Sequence, residues 1–374
     1  MLEGMHLTLM IGPAVPVPAP PTVIDALTDV QVNVSNQRTG FQLTFTMGKN
    51  SPLLTTMLPA GYFDPMVTRV IIIVTVAGIP NVLMDGMVTR QQLAPSNEAG
   101  KTTLTITGED LSVLMDVIQV QRSFPAMPEV AQIYTILAPY AAFGVVPVVI
   151  PPIIPIVRSP TQRYYNQNST DLAYLRRLAN IVGYVFYVEP GPAPATSIAY
   201  FGPDIRIPNP QPALTINMDA HTNVESLSFS LDGLAKRILV VNVFDPATRK
   251  IPIPLPVPNF SVFRPPLGAR PTPPAKVEFA NDVANDDPDD AAQKILGVLL
   301  RSSDAISSNG SLDVLRYGGI LRSRQLVGVR GAGLAYDGMY YVNSITHTIK
   351  RGEYKQNFTL SRDGLISNTA KVLV

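Results

Sequence analysis

The sequence predicts a mainly β fold, with two tube-like antiparallel β-barrel domains and a small α+β domain between them. Apolar and polar residues alternate along 24–47, which is the period of a half-buried strand. The segment Val67–Val76 is rich in β-branched apolar residues, and such a run favours a strand that is buried on both faces. The apolar period becomes helical at Pro128–Tyr140 and Asp171–Ile181, and alternation returns after residue 214.

The length of 374 residues indicates two to four domains, because a domain holds roughly 100–200 residues. We divide the chain where composition and periodicity change. The predicted parts are an apolar, proline-rich N-terminal tail (1–23), a first barrel (24–124), the α+β domain (125–213) with a proline-rich arm (141–160), and a second barrel (214–374) with a long insertion (245–290).

The first barrel is predicted to be an antiparallel sheet closed by one helix. The alternating stretch 24–47 turns at Gly40, and residues 50–62 are expected to form a short helix or a loop. The remaining strands and the closing helix are expected at Val82–Leu93, Thr102–Thr107 and Leu111–Val117.

The α+β domain has a clear helix with recognisable ends. Ser169 or Thr170 is suited to cap the helix that starts at Asp171, and Gly183 is expected to end it. Paired strands are predicted to follow at Tyr184–Val188 and Ser197–Phe201.

The most apolar run of the chain lies in the same domain. Val145–Val157 contains four prolines, whereas a membrane helix needs about 20 apolar residues without such breaks. We therefore expect no membrane span here but an extended arm, which covers either another surface or the protein's own core.

The second barrel is predicted to begin and end with strands. The expected strands are Leu214–Met218, Val224–Leu231, Ile238–Phe244, Leu326–Val329, Gly338–Lys350 and Glu353–Ser361. The last two are separated by Arg351 and Gly352, a two-residue hairpin signal in which Gly352 would supply a positive φ.

The long insertion of this barrel is predicted to be a long, exposed loop. Ile251–Pro258 alternates proline with apolar residues, which predicts polyproline II and not a strand of a ladder. The acidic run 285–290 lacks the central Gly and terminal Glu of a calcium loop. A helix is expected at Ala291–Leu300.

Six apolar positions in the predicted barrel strands are candidates for the core or for contacts with neighbouring subunits. Core packing is the simpler expectation for each of them. They are Val70, Ile72, Leu227, Phe229, Val342 and Phe358.

Composition excludes several classes of function. Charged residues make up 15% of the chain, against about 25% in typical globular proteins, which favours large protein–protein interfaces. The net charge of +1 argues against specific nucleic-acid binding. The absence of cysteine excludes disulfides, thiolate metal sites and cysteine nucleophiles.

No motif in the sequence predicts catalysis, a cofactor or a metal site, and we expect a protein that is not an enzyme. The three histidines are too far apart to form a local metal motif. Glu109, Asp110 and Glu225 are candidates for a glycosidase only because they are carboxylates. Glu109 and Asp110 stand at a predicted helix start, where acidic residues stabilise the helix.

Four stretches, in the same order along the chain, resemble one family. Residues 108–111, 171–188, 222–229 and 338–365 resemble the late control protein D family of phages and the hub part of valine-glycine repeat spike proteins. The resemblance implies a baseplate hub of a contractile injection machine: a homotrimeric ring that adapts the sixfold tail tube to the threefold spike and forms part of the central channel.

The same resemblance implies the partners and the location. The partners would be further copies of the chain, the tail tube protein, inner baseplate proteins and a spike protein. The spike is expected to be a separate protein, because members of the family with a built-in spike continue into further domains where this sequence stops, at Val374. The location would be the tail baseplate of a virion, or an extracellular or cell-anchored injection particle, assembled in the bacterial cytoplasm. The alternatives are a tail-associated cell-wall hydrolase and a receptor- or glycan-binding tail module.

Overall fold

The computed structural model of the chain describes residues 4–13, 15–35, 38–155, 165–206, 210–244, 252–257, 264–280, 293–294, 296–297 and 304–368. Antiparallel strands dominate, and the helices are few and short. The predicted class, mainly β with a small α+β insert, is confirmed. None of the described helices is long and apolar enough to cross a membrane.

The N-terminal part consists of seven strands and three short helical segments. The strands are β1 (Met5–Gly12), β2 (Val17–Pro18), β3 (Leu27–Val34), β4 (Thr39–Met47), β5 (Arg69–Val76), β6 (Ile79–Ala94) and β7 (Thr102–Asp110). Helix α1 spans Pro21–Ala26, a π-helical turn spans Leu53–Met57, and a 3₁₀ helix spans Leu111–Asp116.

The predicted N-terminal tail contains a strand of the sheet, which corrects the interpretation of residues 1–23. Strand β1 pairs antiparallel with the whole of β5, from Met5 opposite Val76 to Gly12 opposite Arg69. The β-branched strand β5 is buried on both faces and needs a neighbour on each edge to satisfy its backbone. The prolines of this region begin only after β1 has ended.

The middle part is the α+β domain. Its elements are β8 (Gln119–Phe124), α2 (Glu129–Leu137), a 3₁₀ helix (Ala138–Phe143), β9 (Val145–Val149), β10 (Tyr165–Thr170), α3 (Asp171–Ile181), β11 (Val185–Pro190) and β12 (Ser197–Gly202). They enclose a hydrophobic core of their own, separate from that of the large sheet.

Part of the predicted proline arm at 141–160 has regular structure, so the expectation of an extended loop or arm is corrected there: residues 141–143 end a 3₁₀ helix and residues 145–149 form strand β9. Strand β9 pairs parallel with β12, from Val145 opposite Ser197 to Val149 opposite Phe201. It lies at the edge of a three-stranded sheet, where Pro147 is tolerated because its missing N–H can face outward. Residues 156–160 of the arm lie outside the described part.

The C-terminal part completes the fold. Its elements are β13 (Gln211–Thr215), a 3₁₀ helix (Asp219–His221), β14 (Ser226–Leu231), β15 (Arg237–Phe244), β16 (Pro252–Val257), β17 (Gly268–Pro271), β18 (Lys276–Ala280), β19 (Ile306–Asp313), α4 (Val314–Tyr317), β20 (Leu326–Arg330), β21 (Gly338–Lys350), β22 (Glu353–Arg362) and β23 (Gly364–Ser367).

The proline-alternating segment is a ladder strand and not polyproline II, which corrects that prediction. Strand β16 pairs antiparallel with β15 at the edge of a three-stranded sheet. Because prolines occupy every second position, their nitrogens all lie on one edge of the strand, and the intervening residues keep N–H groups for the other edge. The acidic run 285–290 lies outside the described residues, as does most of the predicted helix 291–300.

The two β parts form one sheet. Thirteen strands are joined, and the N-terminal and C-terminal parts meet where β21 pairs antiparallel with β3. The main hydrophobic core likewise contains buried side chains from both parts, among them Phe45 on β4 and Leu360 on β22. The α+β domain is attached to the side of this sheet.

Candidate functional site

One face of the large sheet carries small, uncharged polar side chains across eight neighbouring strands, in the order β14, β19, β22, β21, β3, β4, β7 and β6. We call this surface the polar face. Its principal side chains are Ser226, Ser228, Asn309, Ser311, Asn357, Thr359, Ser344, Thr346, Thr348, Gln31, Asn33, Gln42, Thr44, Thr46, Thr103, Thr105, Thr107 and Gln92.

Strict alternation in the sequence produces this face. On β7, Leu104 and Ile106 are buried in the core, whereas Thr105 between them is half-buried on the opposite side. Threonine suits this position because its branched carbon favours the strand and its hydroxyl remains solvated. The run Thr-Thr-Leu-Thr-Ile-Thr at 102–107 was therefore the signal that could have revealed the face from sequence.

Hydrogen bonds within the C-terminal part of the polar face link neighbouring strands. The hydroxyl oxygens of Ser226 and Ser311 lie 2.8 Å apart, and those of Ser344 and Thr359 lie 2.7 Å apart. These side chains line a shallow depression of about 380 Å³. The result is a wettable surface that has many donors and acceptors but little charge.

The face crosses the junction between the two parts without a break. Thr346 of β21 lies opposite Asn33 of β3. Gln31 of β3 lies opposite Gln42 of β4, which in turn lies opposite Thr107 of β7. Uncharged polar residues thus continue through the strands where the two ends of the chain meet.

One lysine at the margin of the face, Lys355, is paired with two carboxylates. Nζ of Lys355 lies 3.0 Å from a carboxylate oxygen of Glu225 and 3.3 Å from one of Glu353. Hydrogen bonds from Lys355 to these two carboxylates raise the pKa of the lysine. The pairing reduces the field that this lysine would otherwise create at the surface.

A buried histidine, His347, lies on the core side of the sheet beneath the polar face. The side-chain amide of Gln356 is fixed by Leu321, because its Oε1 accepts from the Leu321 N–H and its Nε2 donates to the Leu321 carbonyl. Because Nε2 is the nitrogen of this amide, it is also the donor to Nδ1 of His347, which lies 3.3 Å away and accepts. Burial lowers the pKa of His347 to about 3. This histidine is neutral and structural.

A buried ion pair ties the sheet to the α+β domain. Nε and Nη2 of Arg69 each donate to a carboxylate oxygen of Asp85 at 2.6 Å, and both side chains are almost fully buried. The hydroxyl of Ser197, on β12, donates to the same carboxylate at 3.3 Å. Such a bidentate pair fixes orientation as well as distance.

A second ionic cluster joins the segment between β12 and β13 to the C-terminal part. Arg206 donates to Asp304 at 2.8 Å and lies over the ring of Tyr341, 4.2 Å from its centroid. The Tyr341 hydroxyl donates to Asp204, which also accepts from Arg264. Because the four segments that contribute these residues are far apart in the sequence, spacing gave no sign of the cluster.

The six apolar candidates lie on the core side of the sheet. Val70, Ile72, Val342 and Phe358 are fully or almost fully buried in the main core. Leu227 and Phe229 are half-buried on β14, the last strand of the sheet. The Phe229 ring packs 5.0 Å from that of Tyr336.

Both predicted glycines adopt a positive φ. Gly183 follows α3 with φ of +73°, and a Cβ at this position would collide with the backbone of Gly297. Gly352 lies in the turn between β21 and β22 with φ of +82°, in open space. At Gly183 both conformation and space require glycine, whereas at Gly352 only the conformation does.

The three carboxylates weighed for catalysis make structural contacts. Asp110 accepts from the backbone N–H groups of Ser112 and Thr39, at 2.9 and 3.0 Å. Burial raises the pKa of Asp110, although these hydrogen bonds act in the opposite direction. Glu109 lies 3.6 Å from a guanidinium nitrogen of Arg38, and Glu225 pairs with Lys355. Among the described residues, no three metal-binding side chains are grouped to hold an ion.

No protein-family model and no curated protein matches this sequence. Solved structures do share its fold. A tail protein from Neisseria meningitidis MC58 superposes on 97% of this chain and 98% of its own, with a TM-score of 0.60 at 15% identity. The 43 kDa tail protein of prophage MuSo2 from Shewanella oneidensis covers 96% of this chain and 98% of its own, with a TM-score of 0.58 at 13% identity.

A component of a bacterial secretion system shares the fold as well. The c3393 protein of E. coli, a component of the type VI secretion system, covers 90% of this chain and 73% of its own, with a TM-score of 0.51 at 10% identity. At such low identities the matches establish the fold. The chain therefore has the fold of phage tail proteins and of a type VI secretion component.

Proposed function

We propose that this chain is a non-enzymatic structural subunit of a contractile phage tail or related injection machine. Three copies form a hub ring that joins the tail tube to the spike, and the polar face lines the central channel. The observation that carries the proposal is the continuous, nearly uncharged polar face across eight strands. The shared fold with tail proteins and a type VI secretion component supports the setting.

The chemistry of the polar face suits a conduit. A channel wall must stay wet and must not bind what passes through it. Threonine, serine and asparagine hydrogen-bond to water, and Lys355 at the margin is paired with two carboxylates, so a passing chain meets mostly uncharged side chains. The partners in this proposal are other copies of the chain, the tail tube protein, a spike protein and inner baseplate proteins, in the baseplate of the particle.

The proposal is tested first by mass and then by access to the polar face. The full-length chain should form a species of three times 40.5 kDa. Thr105→Cys and Asn357→Cys should react with a small maleimide in both the free chain and the assembled particle. A polymer-sized maleimide should react at these positions only before assembly.

Thr135→Cys is the matched control, because Thr135 is exposed on α2 of the α+β domain. It should react with both reagents in every state. Equal access of the large reagent to Thr105→Cys in assembled particles would contradict a channel lining. Peptidoglycan clearing in a gel, abolished by Glu225→Gln, would instead support a hydrolase. Antibody labelling confined to the outer tip of intact particles would support a receptor-binding module.

A further inference from the structure

The eight strands beneath the polar face end in two open edges. At one end, the outer edge of β14 (Ser226–Leu231) pairs with no described residue, since the ladder of β14 is with β19 alone. At the other end, β5 covers only the first half of β6. The outer edge of β6 is paired as far as Val88, which exchanges backbone hydrogen bonds with Thr68 and Met66. Beyond it, residues 89–94 have no described partner on that side.

The directions of these two edges are compatible. Each neighbouring pair in the series from β14 to β6 is antiparallel. With eight strands, the first and the last therefore run in opposite directions. A second copy placed by rotation about an axis along the strands keeps its strand directions. Its β14 would then lie antiparallel to β6 of the first copy, as a continued sheet requires.

The two faces of the edges also match. On β14, Ser226, Ser228 and Ser230 lie on the polar side, and Leu227, Phe229 and Leu231 lie on the core side. On β6, Arg90, Gln92 and Ala94 lie on the polar side, because they face Thr107, Thr105 and Thr103 of β7. Gln91 and Leu93 lie on the core side, opposite Ile106 and Leu104.

Two leucines on the core side are left exposed at these edges. Leu93 of β6 is 42% exposed and Leu231 of β14 is 41% exposed. Unpaired strand edges with exposed apolar side chains are sites where another chain adds by strand pairing. Joining the two edges would cover both leucines and would leave the polar face continuous from one copy to the next.

We propose that β14 of one copy pairs antiparallel with residues 89–94 of β6 in the next copy, so that the sheets of successive copies form one closed wall. The interface is head-to-tail, because two different edges of the chain meet, and such an interface closes into a ring when the rotation allows it. The inference rests on the proposed ring and specifies which strands hold it together. The occupant of each edge is a second copy of this chain.

The absence of cysteine makes this interface directly testable by crosslinking. In the central register, Ser228 of one copy lies opposite Gln92 of the next. The full-length double variant S228C/Q92C, treated with a mild oxidant or a short bis-maleimide, should give covalent dimers and trimers on a denaturing gel. S226C/Q92C and S230C/Q92C cover the registers shifted by two residues, and one of the three pairs should dominate.

Two kinds of control separate this inference from the ring itself. S228C/T44C is the matched control, because Thr44 lies on the polar face of β4, away from either edge, and it should give no crosslink. The single variants S228C and Q92C should also remain uncrosslinked. A dimer from either single variant would indicate pairing of identical edges and would overturn the head-to-tail arrangement.

The outcomes are distinguishable. A species of trimeric mass without a crosslink from any of the three pairs would overturn the strand pairing and leave the ring intact. A chain that stays monomeric at every concentration, alone and in particles, would overturn both proposals.

Discussion

The guanidinium of Arg324 lies over the ring of Tyr187, 3.9 Å from its centroid, and the contacts of this side chain connect all three parts of the protein. Arg324 precedes β20 of the C-terminal part, and Tyr187 lies on β11 of the α+β domain. The same guanidinium donates to Glu189 at 3.3 Å and to the backbone carbonyl of Ser35, beside β3, at 2.7 Å. One side chain therefore links the α+β domain to both β parts of the sheet.

Replacing Arg324 by alanine should lower the free energy of unfolding by about 2–4 kcal/mol, because both the cation–π contact and a charge-assisted hydrogen bond are lost. Arg324→Lys should recover only part of this, since an ammonium lacks the planar guanidinium that stacks on the ring while it donates to acceptors in its own plane. Urea unfolding measures the effect. Arg316→Ala, at an exposed position on α4, should change stability by less than about 0.5 kcal/mol.

Breaking the Arg69–Asp85 pair should cost more. Asp85→Asn leaves the guanidinium of Arg69 buried without its counter-charge, which typically costs about 3–5 kcal/mol. The exposed Arg38–Glu109 pair is the matched control, and Glu109→Gln should cost at most about 1 kcal/mol. Similar losses from the two substitutions in denaturant unfolding would contradict a special role for the buried pair.

His347 should make the protein sensitive to mild acid. Its folded-state pKa is lowered to about 3, whereas an unfolded histidine titrates near 6.5. Below pH 6.5 the histidine is protonated in the unfolded state but stays neutral in the folded state. The stability that is present at neutral pH is therefore lost as the pH falls towards 3. The contribution is about 1.4 kcal/mol per pH unit.

The contribution of His347 is isolated by comparing variants over this pH range. His347→Gln should show a shallower loss of stability than the natural chain between pH 6 and pH 4, measured by urea unfolding at each pH. His221→Gln, at an exposed position, should leave the slope unchanged. Equal slopes for the natural chain and His347→Gln would show that this histidine is not the acid-sensitive group.

Gly352→Ala should destabilise the hairpin through its backbone alone. The φ of +82° lies in the left-handed region and no atom obstructs a Cβ, so the expected cost is about 1–2 kcal/mol. Gly48→Ala provides the control, because its φ is ordinary and its surroundings are also open. Gly183→Ala should cost more than Gly352→Ala, since its Cβ would also meet the Gly297 backbone. In thermal unfolding, Gly48→Ala should lower the melting temperature least, Gly352→Ala more, and Gly183→Ala most.

Local periodicity made much of the fold predictable. The β-branched run of β5, the alternation of β7 and the helical period of α3 each identified their element, because a strand or helix repeats over only a few residues. The expectations that failed depended on distant partners. Strand β1 was predicted as a tail and β16 as polyproline II, and each became a strand because another strand lies beside it.

The sequence by itself determined which residues are polar and which are apolar along each strand, and so determined that two contrasting faces exist. Only the tertiary structure decided that those faces join across β21 and β3, that Arg69 meets Asp85, and that the edges of β14 and β6 remain open. The physical reason is that periodicity is encoded between near neighbours. Strand order and buried ion pairs depend on contacts between residues far apart in the chain, which the sequence does not mark locally.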